Sequence, residues 1–248
     1  MIGVVCASSL GFFLCKKINL DTDNFILILA YLVAFGILGA KVLYVLVSIK
    51  QINFSEIFKN PESFNSFIGS GFVFYGGLIG GFFALIFVHK IHKIDLNSYI
   101  KILAVCLPLA HAFGRIGCSF AGCCYGRQTN LPVFFKYTES LVAPIGVKLF
   151  PVQGIESFCL FLLSFILLIL FFKKYPCKLH LIYICSYSTL RFILEFFRGD
   201  SARGKLFFLS TSQIISLLLL LTIIIARPFY NRIRIKNLSQ KTAVDMPF

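Results

Sequence analysis

The sequence predicts an all-α, polytopic membrane protein of about seven transmembrane helices, with its N-terminus outside and its C-terminus inside. Three observations predict it. Of 248 residues, 58% are hydrophobic and only 14% are charged, where a soluble domain is about a quarter charged. The mean hydropathy is +0.87. The excess of basic residues, +14 net, falls in short clusters that flank apolar runs, the pattern of cytoplasmic loops facing anionic lipid.

The first fifteen residues form a short apolar run ending at Lys16. No small-residue cleavage site follows it, which favours a first helix over a signal peptide. Runs long enough to span, near ~20 residues each, follow at about 24–49, 69–88, 98–117, 155–172, 179–197 and 206–226. With the N-terminus outside, the inner segments 16–23, 89–97, 173–178 and 227–248 hold Lys16, Lys17, Lys90, Lys93, Lys173, Lys174, Lys178, Arg227, Arg232, Arg234, Lys236 and Lys241. The outer segments hold fewer over a greater length, which sets the orientation. The outer stretches at about 50–68 and 118–154 carry no soluble-domain linker, so residues 1–248 read as one transmembrane domain. No basic domain stands outside the membrane to hold a nucleic acid. Neither internal repeats nor matched broken helices suggest a transporter.

A charge at the bilayer centre costs at least ~2.5–3.5 kcal/mol on the most lenient scale. Lys41, Lys101, Arg115, Arg191, Glu195 and His111 therefore need a reason to lie in or at the edge of spans. Tyr187, Arg191 and Glu195 are four apart, which stacks them on one helical face. Either Arg191 and Glu195 neutralise each other, or the stripe faces a cavity where Arg191 holds an anion. Arg198 follows just beyond. His111 and Arg115 repeat the spacing, and His111 is either structural or catalytic. Two glycine-rich segments accompany them, residues 69–81 and 114–127. Gly76 and Gly77 suit close helix packing. Gly114, Gly117 and Gly126 alternate with Arg115 and Arg127, which suits backbone approaching a phosphate.

These segments, in order, resemble the prolipoprotein diacylglyceryl transferase family. The resemblance runs through Gly36–Leu46, with Lys41 where arginine is usual, and Phe74-Tyr-Gly-Gly-Leu-Ile-Gly80. It continues through Gly114-Arg-Ile-Gly117 to Tyr125-Gly-Arg127, then Pro151-Val-Gln-Gly-Ile-Glu156, Tyr187–Arg198 and Gln213-Ile-Ile-Ser216. It implies a seven-helix enzyme of the bacterial plasma (inner) membrane. Such an enzyme moves a diacylglyceryl group from phosphatidylglycerol to the lipobox cysteine of a prolipoprotein signal peptide. The implied partners are these two and membrane lipids; no cofactor and no metal is implied. By resemblance Arg115 and Arg191 clamp phosphate, Tyr187 and Glu195 orient Arg191, and Gly126 and Arg127 close the site from outside. Gly76, Gly77, Gly114, Gly117, Cys118 and Arg198 contribute to substrate binding.

Three departures stand out. Tyr75 occupies a position where the family has a histidine often assigned as base, and a phenol is a poor base at neutral pH. Cys118 replaces an asparagine, and Cys123 a glutamate. His111 is the candidate to replace the base. A homologous transferase with a different acceptor, or an inactive lipid-binding paralogue, are the alternative readings. Cys118, Cys123 and Cys124 are expected at the outer face, where a local disulfide can form. They could instead place a thiol at the site. Their spacing fits no standard zinc pattern, with or without His111. Cys6, Cys106, Cys159 and Cys185 lie in apolar runs and read as small hydrophobes.

Overall fold

The computed structural model describes residues 1–49, 52, 57, 59–140, 142–174, 178–200, 205–206, 209–210 and 212–225. The basic tail residues Arg227, Arg232, Arg234, Lys236 and Lys241 lie outside them. The chain is mostly helical: α1 Ile2–Lys17, α2 Thr22–Ser48, α3 Pro61–Gly69, α4 Phe74–Ile91, α5 Leu96–Ala121, α6 Val152–Phe172, α7 Leu179–Glu195 and α8 Ser212–Ile225. Among the described residues α2, α5 and α6 are long and apolar enough to cross a membrane, and α4 and α8 are shorter apolar helices. Large side chains such as Val33, Ile37, Leu38, Phe82, Phe158 and Phe165 stand exposed along them. Exposed apolar rows of this length are stable where lipid is the solvent.

Contacts divide the chain into two compact units, Gly11–Ile100 and a second made of Met1–Leu10 with the residues from Lys101 on. In the first, α2 starts where Asp21 accepts a hydrogen bond from the Asp23 amide at 2.8 Å. Small residues then let α2 and α4 touch backbone to backbone. A side chain at Gly39 would collide with the Gly76 carbonyl, and one at Gly76 with the Gly39 carbonyl. This is the small-residue packing expected between membrane helices. Tyr31, Phe35 and Phe87 flank the contact, with ring centroids 5.2 and 5.4 Å from Phe87. Lys41 turns its ammonium to the carbonyls of Phe67 and Ser70, over the Phe67 ring.

One expected span is displaced. The run 69–88 was expected to be helical throughout, yet the helix begins at Phe74. Gly71 adopts φ +70° and separates α3 from α4. Hydropathy continues through this break because Phe72 and Val73 are apolar; the left-handed glycine ends the helix regardless.

In the second unit α5 and α6 pack along a stripe. Gln153, Glu156, Ser157, Leu160, Leu163, Ser164 and Leu167 are the buried face of α6, at the helical period. Two α6 hydroxyls on that stripe donate to α5 carbonyls: Ser157 to Ala112 and Ser164 to Val105, each at 2.9 Å. Pro108 sits inside α5 and withdraws one rung of its hydrogen-bond ladder. The helix runs on to Ala121, four residues beyond the expected end at 117, because nothing in Cys118–Ala121 breaks it.

The segment after α5 is pinned by short backbone pairings. Two antiparallel strands, β1 Phe135–Lys136 and β2 Lys148–Leu149, pair Phe135 with Leu149 and Lys136 with Lys148. Gly126 bridges Arg198; the Arg127 amide donates to the Phe197 carbonyl at 2.8 Å and the Gly199 amide to the Tyr125 carbonyl at 3.0 Å. On its other side the Phe150 amide donates to Arg127 at 2.8 Å. Gly126 is thus wedged between two strands of backbone, and a side chain there would strike the Phe150 carbonyl. Beyond it, β3 Lys205–Leu206 pairs with β4 Leu209–Ser210, where helix had been expected from 206. The α8 helix opens with a reciprocal cap: Ser210 accepts from the Gln213 amide at 3.2 Å, and Gln213 accepts from the Ser210 amide at 2.9 Å. That exchange satisfies two otherwise orphan donors.

Candidate active site

Glu156 is the only acidic residue of α6, and it is fully buried. An isolated carboxylate there would be costly; it is held instead by three partners. Arg115 Nη2 of α5 lies 2.9 Å from its Oε1, and Tyr187 of α7 donates to the same oxygen at 3.2 Å. Arg191 Nη1, one turn further along α7, lies 3.8 Å from Oε2. The two arginines expected to act together do converge, and they converge on Glu156.

From Arg191 the charges alternate outward. Its Nη2 pairs with Glu195 Oε2 at 2.7 Å, and Arg198 Nε reaches the same oxygen at 3.7 Å. Arg198 also grips Asp200 with two bonds, at 2.9 and 2.6 Å. Ser212, at the start of α8, accepts from Arg191 at 3.2 Å and donates to Glu195 at 3.4 Å. The chain Arg115–Glu156–Arg191–Glu195–Arg198–Asp200 holds equal numbers of the two charges, which lowers the cost of keeping guanidiniums out of water. Of the two sequence alternatives for Arg191, the pair with Glu195 is formed; the guanidinium also faces Glu156 across the helix gap. Arg115 Nε, Arg191 Nη1 and Arg198 Nη1 are buried without a hydrogen-bond partner among the described residues. Guanidinium donors so placed can take oxygen acceptors from a phosphate.

His111 packs edge-on against Tyr187, ring centroids 4.9 Å apart, so it belongs to this cluster. Burial raises the Tyr137 hydroxyl above its ordinary range, against a hydrogen bond with Gln153. Gln153 is buried and also donates to the Cys123 carbonyl at 2.9 Å, tying the post-α5 loop to α6. Burial works against the Arg198 charge, but the Asp200 carboxylate more than offsets it and raises that guanidinium's pKa. The Cys124 thiol is drawn below its usual value by its hydrogen bond with Cys118, against burial, with help from Arg198.

The remaining expected site residues fall out as follows. Arg127 is exposed and its Nε reaches the Arg198 carbonyl at 3.4 Å. Gly114 and Gly117 lie exposed on α5 with open space around them. Tyr75, Gly76 and Gly77 open α4 in the Gly11–Ile100 unit, where packing against α2 accounts for Gly76. Glu156, Gln153, Ser212 and Asp200 were not among the expected site residues. A lone carboxylate in an apolar helix was the available signal for Glu156.

An apolar cavity of about 500 Å³ is lined by Ile116, Phe120, Phe135, Tyr137, Phe158 and Phe161 among others, a volume in the range of ligand sites; none of the paired charges lines it.

Helices apolar enough to cross a membrane, with a buried chain of paired arginines and carboxylates carried on α5, α6, α7 and the residues just beyond α7, define a membrane protein with an ionic centre. The chain belongs to the prolipoprotein diacylglyceryl transferase family, whose profile matches residues 1–227. It is 42% identical over 183 residues to the phosphatidylglycerol–prolipoprotein diacylglyceryl transferase of Clostridium tetani, covering 73% of this chain and 71% of that one. It is 34% identical over 221 residues to the second such transferase of Clostridium perfringens, covering 89% and 84%. With the transferase of Clostridioides difficile it shares 30% identity over 241 residues, covering 96% and 91%.

Proposed function

We propose that this chain transfers a diacylglyceryl group from phosphatidylglycerol to the cysteine thiol of a prolipoprotein lipobox. It does so as a multi-pass protein of the bacterial inner membrane, with seven spans, its N-terminus outside and its C-terminus inside. Family membership supports the reading, as do the names of the relatives. The observation that carries it is the meeting of Arg115 and Arg191 on one buried carboxylate.

In the reaction the acceptor thiol gives its proton to a base. Its sulfur forms a bond to the terminal glycerol carbon of the diacylglyceryl group as the carbon–oxygen bond to phosphate breaks. Glycerol phosphate leaves with the electron pair, and a thioether remains. Charge gathers on the leaving phosphate, so the catalytic demand is for positive groups already in place. Arg115 and Arg191 meet that demand with their spare buried donors. Glu156 holds them oriented and charge-balanced before the lipid arrives; Tyr187 and Glu195 fix the pair from either side. Arg198, Gly126 and Arg127 close the outer end, with Gly114, Gly117 and Cys118 along α5. His111, against Tyr187, takes the acceptor proton in place of the histidine absent at Tyr75. The apolar cavity suits an acyl chain.

The test is complementation of a strain depleted of its own transferase, with Arg115→Ala alongside. Rescue by the wild type alone supports the assignment. Failure of both, with each protein present in the membrane, rejects the prolipoprotein acceptor.

A further inference from the structure

The sulfur atoms of Cys118, Cys123 and Cys124 all lie within 4.8 Å of one another, each partly accessible. None of the three is in a disulfide. Their spacing in the chain, four residues and then none, matches no common ligand pattern, so the convergence is made by the fold. Cys118 sits in the last turn of α5. The chain then reverses through Gly122 at φ +66° and Cys124 at φ +59°. A left-handed backbone is unusual for a residue with a β-carbon and is kept only where surroundings enforce it. Here the enforcement is visible: Gln153 holds the Cys123 carbonyl, the Cys123 thiol points to the Cys118 carbonyl at 3.8 Å, and Gly126 is locked between backbones.

We propose that these three thiolates bind one thiophilic d10 dication of the Zn2+ class. Metal–sulfur bonds near ~2.3 Å put sulfurs about 4 Å apart around one ion, close to the separations present. Adjacent Cys123 and Cys124 are joined by a trans peptide and are poorly disposed to bridge each other, so no disulfide scheme satisfies all three thiols. Charge also fits. Three thiolates around a dication carry one net negative charge, and the three thiol protons pass to solvent. Arg198 hydrogen-bonds Cys124, and Arg115 acts electrostatically on Cys118 and Cys124. Their positive charges favour an anionic metal–thiolate centre. Among the described residues no further Cys, His, Asp or Glu joins the three, so a fourth position stays open to water or an external thiol, as in metal sites that exchange ligands. The inference does not rest on the transfer reaction proposed above, although Cys118, Arg115 and Arg198 are shared with it, and its test reads metal rather than lipid.

The experiment uses full-length protein in detergent, freed of reductant under nitrogen, with Cd2+ as probe and Zn2+ as competitor. The expected result is an ultraviolet sulfur-to-cadmium band that saturates at one equivalent and is displaced by Zn2+. Cys118→Ser and Cys124→Ser each weaken that binding at least about tenfold, while Cys159→Ser, altered on α6 outside the cluster, leaves it unchanged. Zn2+ raises the wild-type melting temperature, a reading that does not depend on any variant folding. The proposal is overturned by absence of a one-equivalent band in wild type, or by an unchanged band when all three cysteines are serine. It is equally overturned if protein purified without oxidant carries two of these cysteines as a disulfide, shown by mass spectrometry after alkylation.

Discussion

Arg115 and Glu156 face each other from α5 and α6 at 2.9 Å, with side chains 12% and 0% exposed. The same carboxylate reaches Arg191 through its other oxygen, so one residue of α6 holds both arginines to a common point. Removing it would leave the buried Arg115 guanidinium without its carboxylate partner and Arg191 with Glu195 alone.

Glu156→Gln is therefore expected to destabilise the protein by about 3–5 kcal/mol, the usual cost of breaking a buried pair from one side. Transfer activity should fall at least tenfold in whatever protein remains folded. Thermal unfolding in detergent and a lipid-transfer assay measure the two effects separately. A melting temperature within a degree of wild type would contradict the central place given to this residue.

Arg191→Lys keeps the charge and discards the planar fork that reaches Glu195, Ser212 and Glu156 together. An ammonium cannot serve three partners in that geometry. The expected outcome is a loss of turnover of about tenfold or more, read with saturating phosphatidylglycerol vesicles. Equal rates for the two proteins would show that only charge is required.

For His111→Gln, the expectation is a fall in transfer rate while binding of phosphatidylglycerol is retained, since the residue is assigned to the proton and not to the phosphate. Parallel measurement of lipid binding and transfer separates the roles. Wild-type rates in a stable variant remove His111 from the mechanism.

Gly126→Ala places a methyl group against the Phe150 carbonyl. Over-packing of this kind costs about 1–3 kcal/mol, and here it also parts the backbone bridge to Arg198. A lowered melting temperature, with faster proteolysis in the segment 122–150, is the expected reading.

Ser164→Ala removes one hydroxyl bond from α6 to the Val105 carbonyl. Such bonds between membrane helices are worth about 0.6 kcal/mol on average. The change should be small in stability and silent in activity, a control for the larger effects above.

Much of the helical plan was legible because lipid-facing helices announce themselves by unbroken hydropathy: α2 and α6 were anticipated to within a few residues. Boundaries failed where a backbone event overrides composition, as at Gly71 before α4 and at the capped Ser210 before α8. The stripe Tyr187, Arg191, Glu195 was readable from its four-residue period, which a single helix enforces. Glu156 stood out as a lone carboxylate in an apolar helix, but its pairing was not readable, since its partners come from two other helices and no local period connects them. The same holds for the three sulfurs, whose meeting depends on two left-handed residues that no periodicity reveals. Only the family resemblance linked Arg115 to Arg191 before the fold was known.

The bridge between Gly126 and Arg198 has a consequence for synthesis. Arg127 and its partner Arg198 are 71 positions apart, with α6 and α7 between them. While a ribosome is still making α7, the loop following α5 has only the Lys148–Phe150 side to lie against, and Arg115 can have met Glu156 but not the rest of the charge chain. The pairing of the segment after α5 with the segment after α7 is therefore among the last parts to assemble. A nascent chain stalled before residue 198 would hold α1–α7 yet lack α8, the Gly126–Arg198 bridge and the Ser212 contact between Arg191 and Glu195.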